Sequence, residues 1–141
     1  MQLAQTGSVN EACSQLIVAA YALMDHGHYE ECAALFAEDA TWVRGGKPVE
    51  GRVAILDALN ARRADSVSRH LVASVLVFDE GSGKASGTAS FVPVRGMPDG
   101  EGNVPISGPA MAGDLTARFK QIDGRWMITY LAAKVIFRGD G

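Results

Sequence analysis

Val9, Ala12, Cys13, Leu16, Ile17, Ala20, Leu23 and Met24 recur at intervals of three and four residues. This spacing puts them on one face of a helix and predicts α-helix over about residues 9–26. Ser8-Val9-Asn10-Glu11 matches a capping box at its start, and Gly27 supplies a stop. Residues 1–8 are polar and expected to fray. A second helix is expected over 29–37, burying Cys32, Leu35 and Phe36. DATWVRG (39–45) reads as a short strand, and Gly45-Gly46-Lys47-Pro48 as a turn. Helical spacing returns in Gly51–Ala64, with Val53, Ile55, Leu56 and Leu59 apolar. Arg62 and Arg63 fall in its last turn, where cations meet the negative end of the helix dipole.

From residue 67 the period changes from helical to alternating. RHLVASVLVF (69–78) is rich in β-branched residues and is followed by the hairpin connection DEGSGK. ASGTASFVPVR (85–95) and MAGDLTARFKQI (111–122) read as further strands, and Asp123-Gly124 as a two-residue turn into RWMITYLAAKVIFR (125–138). Residues 96–109, with four Gly and three Pro, form a long loop. Helices first and long antiparallel strands afterwards spell an α+β fold. Three N-terminal helices pack on a curved, mostly antiparallel sheet that encloses a one-ended pocket. One domain spans 9–138, with 139–141 as a tail. Pro93 fits best near a strand end or bulge.

Composition narrows the classes of function. The chain has 141 residues, 48% hydrophobic and 21% charged, with a net charge of −3. That length supports a core without disulfides or metals. No basic stripe exists, so nucleic acid is not an expected partner. Cys13 and Cys32 are expected as buried thiols. No apolar run approaches the ~20 residues of a membrane span, and no signal-peptide pattern precedes the first helix. The expectation is a cytoplasmic protein without membrane association.

The stretch MDHGHYEE (24–31) gathers histidines and carboxylates. His26 and His28 sit on a turn, and the adjacent Glu30 and Glu31 point in different directions on a helix. They form no facial ligand set, and no metal or other cofactor is expected.

Several stretches together resemble a known family. YALMDHGHYEECAALFAEDATWV (21–43), VEGRVAILDAL (49–59), SRHLVASVLV (68–77) and DGRWMITY (123–130) resemble, in that order, SnoaL-like proteins of the nuclear transport factor 2 superfamily. Ser74 stands where that family commonly has Asn. The resemblance implies a cone-shaped, cystatin-like roll. The pattern is most similar to scytalone dehydratase and hexachlorocyclohexane dehydrochlorinase, which pair an aspartate ending helix 1 with a histidine on the first long strand. The matching positions are Asp25 and His70. Two tyrosines of scytalone dehydratase have no counterpart, because Met24 and Arg44 occupy or adjoin their places.

A paired Asp25 and His70 suit general acid/base catalysis: the carboxylate fixes one ring nitrogen and leaves the other to take a proton. Dehydration, double-bond isomerisation and cyclisation share that step. Against this stands a plainer reading, a helix-end aspartate and a satisfied core histidine. Tyr21, four residues before Asp25, either donates into the hollow or packs. Trp42 lines cavity or core. Arg44 clamps an anionic or oxygenated substrate or is exposed. Alternation puts His70, Val72, Ser74 and Leu76 on one strand face, and Leu71, Ala73 and Val75 on the other. Asp114 is either a second pocket carboxylate or a surface partner of Arg118. Lys134 reads as a solvent-facing charge.

The expected function is a cofactor-free lyase or isomerase acting on a small, mostly apolar, oxygenated or aromatic molecule. A non-catalytic binding protein, or an assembly subunit like the small subunits of ring-hydroxylating dioxygenases, are the alternatives. A homodimer through the sheet face is the expected assembly.

Overall fold

The computed structural model describes residues 7–140. The expectation of fraying at 1–8 therefore falls, for residues 1–6, outside the described residues, as does Gly141 of the tail. Ser8 caps helix α1 (Val9–Asp25) by accepting a hydrogen bond from the Glu11 backbone N–H. Helix α2 (Tyr29–Ala33) is shorter than expected. The chain leaves it at Leu35, whose carbonyl accepts from the Ile128 N–H, and strand β1 (Phe36–Arg44) begins at once. The expected 45–48 turn is tighter, and Lys47–Glu50 forms strand β2 hairpinned onto β1. Helix α3 spans Arg52–Asn60, so Arg62 and Arg63 lie past its end rather than in its last turn.

Four long strands follow: β3 (Val67–Gly81), β4 (Lys84–Gly96), β5 (Met111–Ile122) and β6 (Arg125–Arg138). The six-stranded sheet runs β2-β1-β6-β5-β4-β3, with β1–β6 parallel and every other pair antiparallel. This open, curved sheet with three helices against it is the α+β roll expected. Among the described residues no helix is long and apolar enough to cross a membrane.

The core fills one end of the roll. Leu16 and Ile17 of α1, Phe36 of β1, Leu115 and Phe119 of β5 and Ile128 of β6 are fully buried. Alternation on β5 turns Leu115, Ala117 and Phe119 inward. Cys13 and Cys32 are buried free thiols, and burial pushes both up to about 12.

At the other end the sheet opens. Pairing of β4 with β5 stops at Phe91–Gly113, while β4 continues along β3 to Gly96. Pro93 sits in that stretch, where its missing N–H deprives β5 of nothing. The 97–110 loop folds back on β4, with the Ser107 N–H donating to the Arg95 carbonyl. Gly96 permits this close approach, because a Cβ there would stand 2.0 Å from the Pro105 carbonyl oxygen.

Candidate active site: an Asp–His pair at the mouth of a cavity

Asp25 is the last residue of α1. A negative charge at the negative end of a helix dipole is locally unfavourable by about 0.3–1 kcal/mol. Strand β3 supplies what offsets it. Alternation turns Ser68 and His70 inward, and both meet the carboxylate. His70 Nδ1 lies 2.6 Å from Asp25 Oδ1, and the His70 backbone N–H donates to Oδ2 at 2.6 Å. The Ser68 hydroxyl donates to Oδ1 at 2.8 Å, and it accepts from Arg62 Nη2 at 2.8 Å. The side chain of Asp25 is 4% exposed and that of His70 13%. Burial alone would raise the Asp25 pKa. The His70 ring, its backbone N–H and Ser68 outweigh burial and hold the carboxyl below its ordinary range.

An ionised carboxylate only accepts hydrogen bonds. Nδ1 of neutral His70 therefore carries the ring proton, and Nε2 on the opposite edge keeps a lone pair. The Tyr21 ring packs against the imidazole at 4.9 Å between centroids, tilted 45°. Burial holds the Tyr21 phenol protonated, well above its ordinary pKa. Tyr21 Oη and Trp42 Nε1 are both buried, and neither has a hydrogen-bond partner among the described residues.

His70, Ser68, Tyr21 and Trp42 line a cavity of about 610 Å³, with Asp25 behind them. Its apolar wall includes Met24, Phe91, Met97, Ala133 and Val135, and Arg44, Arg62, Arg63 and Arg95 also line it. This volume lies within the range of small-molecule sites. Arg44 stacks over the Trp42 ring at 4.8 Å.

The structure brings Asp25, His70, Tyr21, Trp42 and Arg44 together, and it corrects three expectations. Ser74 does not face the cavity. It sits at a β-bulge between Ala73 and Leu76 with φ 54°, and its side chain is exposed. The bulge inverts the alternation beyond it. Leu76 turns outward, while Val75, expected on the outer face, is half-buried against the core. Val72 stays on the inner side, half-buried against the core, and is not among the residues lining the cavity. Asp114 is not a pocket carboxylate: it is exposed, in register with Ser90 on β4 and Lys134 on β6. Nor does Arg118 pair with it; Arg118 lies over the Tyr130 ring at 4.7 Å.

Ser68, Arg62 and Arg95 escaped the sequence reading. Ser68 lies two residues before His70, so alternation alone could have found it. His26 and His28 stay at the helix ends. His26 Nδ1 lies 2.9 Å from the Ala22 carbonyl, and His28 lies 3.5 Å from Glu31. Among the described residues no three His, Cys, Asp or Glu side chains cluster as a metal site.

The SnoaL-like domain family matches residues 7–132, and the chain belongs to it. Its relatives among solved structures share the cystatin-like roll of the nuclear transport factor 2 superfamily. A candidate scytalone dehydratase from Novosphingobium aromaticivorans is 17% identical, with a TM-score of 0.75 over 93% of this chain and 86% of that one. A type 2 hexachlorocyclohexane dehydrochlorinase is 16% identical, with a TM-score of 0.75 over 91% and 85%. The beta subunit of a candidate aromatic-ring-hydroxylating dioxygenase from N. aromaticivorans is 20% identical, with a TM-score of 0.70 over 91% and 89%. At such identities the likeness shows fold alone. No curated protein sequence matches the chain.

Proposed function

We propose that the protein is a cofactor-independent lyase or isomerase in which Asp25 and His70 act as a general acid/base dyad. The observation that carries this reading is the 2.6 Å contact between a buried carboxylate and His70 Nδ1 at a cavity wall. Nε2 abstracts a proton from a carbon next to a carbonyl, and the Asp25 carboxylate stands beside the positive charge that develops on the ring. The same imidazolium then returns the proton to a leaving group (elimination), to another carbon (double-bond migration), or to the alkoxide formed when the enolate carbon attacks a second carbonyl (cyclisation). Protonated Tyr21, packed against the His70 ring, is the donor available to stabilise an enolate oxygen. The substrate is small and mostly apolar, with at least one oxygen function. The dehydratase and dehydrochlorinase relatives, both named for eliminations, support this class.

The test uses small β-hydroxy ketones in D2O. Proton NMR should show enzyme-dependent loss of the α-proton signal, with or without elimination. His70→Asn should slow that exchange by at least about 10²-fold without changing the thermal unfolding profile. Equal exchange by both proteins would overturn the dyad.

A non-catalytic assembly role is supported by the likeness to a dioxygenase beta subunit. Leu71, Leu76 and Phe78 are exposed on the outer face of β3. Against the assembly role, we take this face to pair two copies of the chain. Light scattering of the purified protein should give twice the chain mass; a monomer that dimerises only with a larger subunit favours the assembly role.

A further inference from the structure

Cationic donors crowd the cavity wall, and carboxylates are missing from its lining. Four of the chain's nine arginines line it, and no Asp or Glu does. This is not general basicity, because the chain's net charge is −3. Arg63 is neutralised by Asp65 at 2.9 Å, outside the network of the dyad. Among the described residues, no carboxylate pairs with Arg44, Arg62 or Arg95. Arg62 uses one nitrogen on Ser68 and keeps further N–H donors. Arg44 is oriented by its stack on Trp42. Arg44 and Arg62 line the same cavity, and burial together with the charge of Arg62 pushes Arg44 below the ordinary arginine pKa. Holding like charges together is costly unless a ligand neutralises them. Two further buried donors, Tyr21 Oη and Trp42 Nε1, have no hydrogen-bond partner among the described residues.

We propose that the cavity takes a carboxylic acid, whose carboxylate is held by Arg44 and Arg62 while its apolar body lies along Met24, Phe91 and Val135 toward His70. The guanidinium fork matches a carboxylate with two parallel hydrogen bonds, which a neutral carbonyl cannot reproduce. The proposal rests on the acid/base reading only in making this acid the substrate. It gives the substrate class a charge and a direction: carboxylate at the Arg44–Arg62 side, reacting carbon at Nε2. Arg62 also hydrogen-bonds Ser68, which bonds Asp25, so the anion and the dyad share one chain of hydrogen bonds.

The experiment is calorimetric titration with cinnamate and 4-phenylbutanoate, each against its methyl ester, at low ionic strength. The acids should bind at least about tenfold more tightly than the esters, a preference worth ~1.4 kcal/mol. Raising salt to about 0.5 M should weaken the acids and spare the esters. Arg44→Gln, at an exposed side chain, should erase most of the preference with the fold intact; Arg62→Gln should do so with some loss of stability. His70→Asn should keep it. Esters that bind as well as the acids, an unchanged preference in both arginine variants, or no acid binding at ~10 mM would each overturn the proposal. A wild-type protein that shows no preference but has His70-dependent exchange would refute the anion site alone. A preserved preference without such exchange would refute the dyad alone.

Discussion

The two ends of the roll are built from the same elements to opposite purposes. At the closed end, α1 gives Cys13, Leu16 and Ile17 to the sheet, and β5 answers with Leu115, Ala117 and Phe119, all buried and apolar apart from one thiol. At the open end, the same helix stops on a carboxylate, and the sheet answers with Ser68, His70 and a set of arginines. The closed end obeys local rules throughout. The open end breaks several: an acid at a helix C-terminus, unpaired cations in one hollow, buried donors without acceptors. Such conflicts mark places where the sequence serves chemistry rather than stability.

The comparison breaks most visibly if the closed end is emptied. Phe119→Ala removes a fully buried ring and should cost about 3–5 kcal/mol, read as a lower denaturant midpoint with an unchanged slope. A loss under ~1 kcal/mol would mean the closed end is not the source of stability. Asp25→Asn should cost less, about 1–3 kcal/mol at neutral pH, and the cost should depend on pH. The folded-state pKa of Asp25 is depressed, so its contribution is present above the unfolded value of ~4 and is lost as pH falls through the lower folded value. Wild type and variant should therefore converge in stability below pH ~4. A gap that stays constant down to pH ~2 would show that the carboxylate charge is not what the network holds.

Most of the fold could be read from periodicity. Helical spacing from Val9 to Met24 and the hairpin signals at Ser82-Gly83 and Asp123-Gly124 located α1 and the long strands, because each is a local signal. The departures come from interactions that local pattern does not encode. Helix α2 gives way at Leu35 because β6 recruits its carbonyl. The bulge at Ser74 was hidden because serine does not announce a left-handed backbone as Asn or Gly would. The Asn common in the family at that position suits the observed φ. Asp114 was legible: the apolar alternation Leu115, Ala117, Phe119 already turned it outward. Asp25 and His70 were found through the family pattern, since forty-five residues of chain carry no spacing rule that joins them. Arg62 was noticed as half of an adjacent pair, but assigned to a helix end that the chain leaves two residues earlier.

The dyad depends on a buried, ionised Asp25 that fixes His70 with Nδ1 protonated and Nε2 free to take a proton. Nitrogen-15 NMR of the His70 ring in the folded protein tests this without any substrate. The neutral ring should show a protonated, pyrrole-type Nδ1 and an unprotonated, pyridine-type Nε2, with this order lost in Asp25→Asn. A neutral ring protonated on Nε2, or one unaffected by Asp25→Asn, would contradict it.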